Sequence, residues 1–203
     1  MATVTVAAFD FDKTLSDRDN VLPFLVEVGG RAAVVSALLR SAPRLALRHR
    51  DAVKARLSHT VFAGRPEADV RAAATTFAAD VVAHHLRDDV VARADWHREQ
   101  GHRRVIVSAS YEYYVAPVAA ALGFDAALAT RLAVDGTGYL TGALDGPNVR
   151  RAEKARRLDE WCAGDDATIW VYGDSAGDRE LMARADRAIR VQRRPLTRRP
   201  IDE

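Results

Sequence analysis

The sequence predicts an α/β fold in which a parallel β-sheet lies between two layers of helices and carries an inserted α-helical cap. Short β-branched runs alternate with helical patterns in both terminal parts of the chain, whereas residues 19–100 contain no convincing strand. Such alternation favours a Rossmann-like parallel sheet with right-handed crossovers. Ligands bind at the carboxyl ends of the strands in this architecture, so the residues that follow each strand are the candidates for chemistry.

Buried strands are predicted where apolar residues form short continuous runs, at residues 3–9, 104–110, 168–174 and 187–191. Helical patterns border these runs, at residues 111–122, 151–162 and 176–184. Glycine-punctuated alternation over residues 129–146 predicts a β-hairpin. Together these segments form the expected core, residues 1–16 and 101–203.

The intervening segment, residues 17–100, is predicted to be the cap. Its Ala-, Leu- and Val-rich helical patterns are interrupted at Gly29-Gly30, at Pro43 and at residues 64–66. A crossover between two neighbouring strands needs far fewer residues, so we expect an insertion that folds over the carboxyl edge of the sheet.

The composition of the chain limits the classes of protein to which it can belong. The chain has 203 residues, of which 48% are hydrophobic, and this is ample material for a core. Its net charge of +2 gives no argument for nucleic acid or an anionic membrane as a partner. With Cys162 as its single cysteine, no secretory signal pattern and no apolar run of about 20 residues, we expect a cytoplasmic protein without an integral membrane segment. The basic segment 190–203 is expected to be a solvated tail, and the oligomeric state stays open.

Acidic and polar residues follow the predicted strands. Asp10 and Asp12 end the first strand, Ser108 lies near the end of the second, and Asp174 ends the third. Carboxylates from separate strand ends form a hard oxygen cluster of the kind that Mg²⁺ prefers. A cation is also required because buried carboxylates without a partner cost several kcal/mol.

Other residues add an anion site to this metal site. Lys154, near the start of the helix at 151–162, supplies a positive charge, and Ser108 supplies a hydroxyl donor. The helix that begins near Tyr111 would direct unsatisfied amides toward an anion. In a phosphate site of this kind one aspartate can attack phosphorus and a second can transfer a proton.

Four ordered segments resemble the motifs of the haloacid dehalogenase (HAD) superfamily. They are DFDKT at 10–14, Ser108 within RVIVSAS at 104–110, Lys154, and GDSAGD at 173–178. The large helical insertion and the stretch FDFDKTLSDRDNVLPFL, residues 9–25, resemble the branch that contains phosphoserine phosphatases. This resemblance covers nearly the whole chain and implies an HAD-like fold.

The resemblance implies a Mg²⁺-dependent phosphatase that hydrolyses a small organic phosphate monoester through an aspartyl-phosphate intermediate. Asp10 would be the nucleophile, and Asp12 would protonate the leaving alcohol and then activate water. The implied phosphate-binding residues are Thr14, Ser108 and Lys154. The implied metal site consists of Asp10, the carbonyl of Asp12, and Asp174, with Asp178 supporting the metal or orienting Lys154.

Substrate choice is less constrained by the residues. Asp19 resembles the acidic residue that meets the substrate amine in phosphoserine phosphatases, although glutamate is usual there. Basic residues at or in the cap are candidate partners for a substrate carboxylate or a second phosphate. Alternatively, they coat the polar faces of amphipathic helices. These residues are Arg18, Arg44, Arg48, Lys54 and Arg56. The cap histidines, His49, His84 and His85, are expected to be exposed. Arg151 departs from the glycine that relatives often have before the lysine.

Several functions remain open at this point. An amino-alcohol phosphate such as phosphoserine is the leading substrate, and histidinol phosphate, a lipid head-group phosphate or a specialised metabolite are alternatives. A phosphotransferase would pass the same group from the aspartate to an acceptor alcohol. A binding or regulatory module on the same scaffold is disfavoured because every member of the catalytic set is present.

Overall fold

The computed structural model describes residues 4–41 and 49–200 of the chain and contains one six-stranded sheet. Its strands are β1 (Val4–Phe9), β2 (Arg103–Tyr111), β3 (Ala126–Val134), β4 (Leu140–Asp145), β5 (Ala167–Gly173) and β6 (Arg187–Arg190). They lie in the order β4-β3-β2-β1-β5-β6, and only the β3–β4 pair is antiparallel. The predicted α/β fold, its parallel strands and its hairpin are confirmed.

The helices fall into a group before β2 and a group after it. The first group is α1 (Val21–Gly29), α2 (Arg31–Arg40), α3 (Arg50–Phe62), α4 (Glu67–His84) and α5 (Asp88–Glu99). The second group is α6 (Glu112–Ala121), α7 (Ala152–Trp161) and α8 (Arg179–Ala183). The pattern at 176–184 is divided, because a 3₁₀ turn, Ala176–Asp178, precedes α8. The predicted breaks near Gly30 and at 64–66 are present, and Pro43 lies outside the described residues.

The central strands bury both of their faces, as continuous apolar runs predict. Phe9, Ile106 and Tyr172 belong to a core on one face, which extends to α5, α6 and the cap helices. Val107 and Val171 belong to a second core on the other face, under α7 and α8. Helices therefore cover the sheet on both sides and leave the carboxyl ends of the strands accessible.

Strand register brings the polar strand-end residues together. Phe9 of β1 lies opposite Ile106 of β2 and opposite Tyr172 of β5. The next amide, that of Asp10, continues the ladder by donating to the carbonyl of Tyr172 at 2.8 Å. Residues that follow these three strands consequently meet at one edge of the sheet, with β1 in the middle.

An aromatic cluster joins the cap helices to the start of α6. Phe24 of α1 is fully buried, and its ring centroid lies 4.8 Å from that of Tyr114, 5.4 Å from that of Phe77 and 6.1 Å from that of Phe62. Tyr111 packs edge-on against Phe62 at 5.2 Å. Aromatic side chains contribute large buried areas, so this cluster holds helices α1, α3 and α4 against Tyr111 and the start of α6.

The β-hairpin supports the cap from a second side. Gly142 of β4 has φ +79°, and a Cβ at this position would lie 2.8 Å from the Cα of His59 on α3. Glycine therefore serves both the backbone conformation and the close approach of helix to strand.

Helix α5 packs against the sheet. Its residue His97 is buried, contacts the rings of Phe9 and Trp170, and forms a hydrogen bond with the hydroxyl of Tyr172 at 2.9 Å. This packing favours an end of the inserted segment before Asp88 rather than at residue 100. The division of the chain into core and cap stays a prediction.

The C-terminal segment differs from the solvated tail that its composition suggested. Arg93 of α5 donates to the carbonyl of Thr197 at 2.7 Å, and Arg87 donates to the carbonyl of Gln192 at 2.8 Å. Asp89 accepts from the amide of Leu196 at 2.7 Å. The basic side chains of this segment are exposed, whereas its backbone binds α5. Composition predicts the exposed charges but not the backbone contacts.

None of the helices in the two described ranges combines the length and the apolar character that crossing a membrane requires.

We predict that Phe24→Ala lowers the free energy of unfolding by about 3–5 kcal/mol, because it removes a ring packed on all sides and leaves a cavity. Leu22→Ala on the same helix is the matched control, since Leu22 is 42% exposed, and its expected loss is below about 1 kcal/mol. Urea unfolding at constant pH measures both changes. Similar losses in the two variants would contradict the role given to the aromatic cluster.

Candidate active site

A cavity of about 180 Å³ lies at the carboxyl edge of the sheet, and we call it the strand-end cavity. Its lining is dominated by charged and polar side chains from both terminal parts of the chain and from α3: Asp10, Asp12, Lys13, Asp19, Arg50, Ser108, Ala109, Arg150, Lys154, Asp174, Ser175 and Gly177. Most of the residues proposed for chemistry from the sequence therefore meet in one place.

Asp10 occupies the base of this cavity. It follows β1 directly and is 6% exposed. Burial raises the pKa of its carboxyl to about 7, and the ammonium group of Lys154, 2.5 Å from Oδ1, opposes the rise. Asp10 is thus a buried carboxyl group with one close cation to compensate its charge.

Lys154 lies between two buried carboxylates. Its Nζ is 2.5 Å from Oδ1 of Asp10 and 2.5 Å from Oδ1 of Asp178. Burial by itself lowers the pKa of Lys154, but the two carboxylates outweigh it, and the pKa lies above the ordinary value of a lysine. The lysine therefore stays charged in a site where an isolated ammonium group would lose its proton.

Asp178 is held in place by the turn that follows β5. Its Oδ2 accepts from the amide of Ser175 at 3.1 Å and from the hydroxyl of Ser175 at 3.0 Å. A Cβ on Gly173 would lie 2.8 Å from the Cγ of Asp178, so only glycine lets this carboxylate reach Lys154. The structure thus shows Asp178 in the lysine-orienting arrangement, which is one of the two roles suggested by the resemblance.

Asp12 lines the same cavity but is held by different hydrogen-bond partners. Asn20 donates to its Oδ1 from the backbone at 2.9 Å and from the side chain at 3.0 Å, and the hydroxyl of Ser110 donates to Oδ2. Burial and the charge of Asp19 raise the pKa of Asp12 to about 6, against the effect of these donors. The backbone turns sharply after it, because Lys13 has φ 60°. Asp12 can therefore exist in both protonation states near neutral pH.

Three carboxylates lie close enough together to share one metal ion. Oxygen atoms of Asp10, Asp174 and Asp178 all lie within 4.8 Å of one another. Burial and the neighbouring Asp178 raise the pKa of Asp174, against the opposing charges of Lys13 and Lys154. This all-oxygen set fits a hard divalent cation such as Mg²⁺.

Two of the predicted phosphate-binding residues differ in position. Ser108 lines the cavity, and its Oγ accepts from the amide of Ser110 at 3.0 Å. Thr14 does not line the cavity. It is fully buried, and its hydroxyl has no hydrogen-bond partner among residues 4–41 and 49–200. Of these two residues, the structure therefore brings Ser108, but not Thr14, to the lining of the strand-end cavity.

The two residues predicted to determine substrate specificity lie in different cavities. Asp19 lines the strand-end cavity, whereas Arg56 lines a different surface cavity with Arg40 and His59. Arg44 and Arg48 lie outside the described residues. Of the histidines expected to be exposed, His49 and His84 are exposed and His85 is partly buried, with a nitrogen 3.6 Å from Asp17.

Four residues of the site did not emerge from the sequence: Asn20, Arg50, Ser110 and Arg150. Ser110 lies two positions after Ser108 in the same strand and therefore on the same side of it, which is a period-two signal that the sequence contains. Asn20 and Arg50 have no comparable signal, since their positions depend on how α1 and α3 join the core.

Comparison with known proteins identifies the family of the chain. The family of haloacid dehalogenase-like hydrolases matches residues 7–183, and the chain belongs to this family of enzymes. Protein CicA from Caulobacter vibrioides is 37% identical over 186 residues, which cover 89% of this chain and 83% of that protein. The family membership expected from the four motifs is confirmed.

Solved structures show the same fold. A protein of unknown function from Bordetella pertussis Tohama I superposes with a TM-score of 0.78 at 25% identity, covering 93% of this chain and 90% of its own. A phospho-aspartyl intermediate analogue of phosphoserine phosphatase superposes with a TM-score of 0.65 at 22% identity, covering 93% and 87%. The resemblance to the phosphoserine phosphatase branch is confirmed at the level of the fold.

We predict that Lys154→Met lowers the free energy of unfolding by about 3–5 kcal/mol at pH 8 without divalent cations, because it leaves two buried carboxylates facing each other. Urea unfolding measures the loss. It should shrink as the pH falls to 5, since the raised pKa of Asp10 means that this carboxyl takes up a proton in the folded state. In the variant Lys154→Met with Asp178→Asn, part of the stability should return. Unchanged stability of Lys154→Met would contradict the arrangement.

Proposed function

We propose that the protein is a Mg²⁺-dependent phosphatase that hydrolyses a small organic phosphate monoester through an aspartyl phosphate on Asp10. The observation that carries this proposal is the meeting of Asp10, Ser108 and Lys154 with an acidic cluster in one small cavity. We place the activity in the cytoplasm, which the free thiol of Cys162 supports, because free thiols persist in reducing compartments.

Asp10 is the nucleophile in this proposal. Lys154 contacts its Oδ1, and no hydrogen bond reaches Oδ2 from the part of the chain that the structure describes. An oxygen free of hydrogen bonds on a carboxylate fixed through its other oxygen is suited to in-line attack on phosphorus. Phosphoryl transfer needs mainly this positioning and the neutralisation of charge on the transferring group.

Asp12 moves the proton. With its pKa raised to about 6, it can donate a proton to the leaving alcohol and then accept one from the water that hydrolyses the intermediate. Asn20 and Ser110 hold both of its oxygens, so the carboxyl group stays oriented through both steps.

The phosphoryl oxygens meet Ser108 and Lys154, which bind and orient them. Asp10, Asp174 and the carbonyl of Asp12 would hold Mg²⁺, with Asp178 behind them. When bound, this ion neutralises charge on the phosphoryl oxygens and stabilises the ionised carboxylates. The residues fit such an ion because their donor atoms are all oxygen and lie close together.

An amino-alcohol phosphate such as phosphoserine is the proposed substrate class. Asp19 lies in the cavity as a partner for an ammonium group. Arg50 and Arg150 lie in the same cavity as partners for a carboxylate, and they take the place that Arg56 held in the sequence-based hypothesis. The volume of about 180 Å³ favours a small substrate over a lipid. Fold similarity to phosphoserine phosphatases supports the same class.

We expect Asp10→Asn to reduce hydrolysis of para-nitrophenyl phosphate to background, because the amide keeps the shape of the side chain and loses the attacking charge. Release of para-nitrophenol with Mg²⁺ present measures the rate. Chelation by EDTA should stop the wild-type reaction, and added Mg²⁺ should restore it.

Asp145→Asn is the matched control for this experiment, since Asp145 forms a half-exposed ion pair with Arg131 away from the cavity, and its turnover should equal that of the wild type. Normal turnover by Asp10→Asn, or a wild-type rate indifferent to EDTA, would refute the mechanism.

Substrate variants should separate the two parts of the proposed specificity. Arg150→Met should raise KM for phosphoserine about tenfold and leave KM for phosphoethanolamine, which lacks the carboxylate, nearly unchanged. Asp19→Asn should raise KM for both compounds, because both carry an ammonium group. Steady-state release of inorganic phosphate measures these values. Equal effects of Arg150→Met on the two compounds would exclude a carboxylate contact.

A further inference from the structure

Lys54 is a cap residue whose ammonium group reaches the core. It lies on α3, and its Nζ donates to the carbonyl of Ala109 and, at 2.7 Å, to Oδ1 of Asn148. The same nitrogen lies 4.6 Å from the ring centroid of Tyr111. Burial lowers the pKa of Lys54 to about 7, which reflects the cost of removing an ammonium group from water. The negative charges of Asp12, Asp51 and Asp19 oppose this fall in pKa.

The carbonyl that Lys54 binds belongs to the peptide unit next to Ser108. This unit joins Ala109 to Ser110, and its N–H donates to Oγ of Ser108 at 3.0 Å. A cation on a carbonyl oxygen polarises the peptide, so the N–H of the same unit becomes a stronger donor. One peptide unit therefore links Lys54 to Ser108.

The bond from this peptide leaves the Ser108 proton available. A serine hydroxyl carries one proton and two lone pairs. In the described ranges 4–41 and 49–200, Oγ of Ser108 accepts a hydrogen bond from Ser110 and donates none. Because Ser108 lines the strand-end cavity, its proton can be donated to a phosphoryl oxygen there.

Asn148 completes the network from the loop before α7. Its Nδ2 donates to Asp51 of α3 at 2.7 Å, and its Oδ1 also accepts from the hydroxyl of Thr130 at 3.0 Å. Asp51 and Lys54 are three positions apart and therefore share one face of α3. Both ends of the Asn148 amide are thus bound by the same face of the cap helix.

We propose that Lys54 is a positioning residue that orients Ser108 for the phosphoryl group through the peptide between Ala109 and Ser110. This inference rests on the proposed phosphatase function and adds a contribution of the cap to phosphate binding. A cap that lifts from the core withdraws the ammonium group from Ala109 and weakens the hydroxyl site. Strong binding of the phosphoryl group is consequently confined to the arrangement in which α3 lies on the core.

A double-mutant cycle between Lys54→Met and Ser108→Ala tests this proposal. The readouts are kcat and KM for para-nitrophenyl phosphate and the inhibition constant of inorganic phosphate. Lys54→Met alone should raise KM and the inhibition constant about 10- to 100-fold, with a smaller change in kcat. In the Ser108→Ala background the same substitution should change them by about twofold or less. Lys54→Arg, which keeps the charge, should restore most of the binding.

Arg71→Met is the matched control, because it removes an exposed cap cation that pairs with Glu67, and its kinetics should equal those of the wild type. Equal factors for Lys54→Met in both backgrounds would show that Lys54 does not act through Ser108. If circular dichroism shows that Lys54→Met does not fold, Lys54→Gln, which retains an N–H donor, replaces it in the cycle. A wild type without phosphatase activity refutes the proposed function, whereas an active wild type with an additive cycle refutes this inference alone.

Discussion

The ammonium group of Lys154 between Asp10 and Asp178 is the interaction on which the rest of the site depends. Two buried carboxylates at the end of a sheet repel each other, and one buried cation compensates both. The turn after β5 then fixes Asp178 through Ser175, and Gly173 provides the space for it. The turn after β5 therefore holds Asp178 where its charge meets that of Lys154.

The order of the strands explains why these charges meet. β1 has β2 on one side and β5 on the other, so its carboxyl end receives residues from two distant parts of the chain. Asp10 lies between Ser108 and Asp174 for this reason, and the helices that follow on opposite faces leave the edge between them accessible. Helix α3 contributes Arg50, which lines the cavity, and Lys54, which reaches the carbonyl of Ala109 near the end of β2.

Residues at strand ends were predictable from the sequence, because side chains alternate between the two faces of a strand with a period of two. Asp10, Asp12 and Asp174 line the cavity as the sequence indicated. Residues of the cap were not predictable to the same extent. Whether Lys54 or Arg56 faces the core depends on the rotation of α3 about its axis, and its weak apolar stripe does not determine that rotation. The docking of the C-terminal segment on α5 uses backbone carbonyls, which composition does not encode.

The central position of β1 has a consequence for biosynthesis. This strand is translated before the other strands of the sheet, whereas its neighbour β2 follows only after helices α1–α5, and its neighbour β5 follows later still. The helices between β1 and β2 depend on contacts that are close in sequence and can form early. The apolar strand β1 meanwhile has no neighbouring strand at either edge. The nascent chain is thus exposed to aggregation until translation reaches β5, and chaperone demand during synthesis follows from the topology of the sheet.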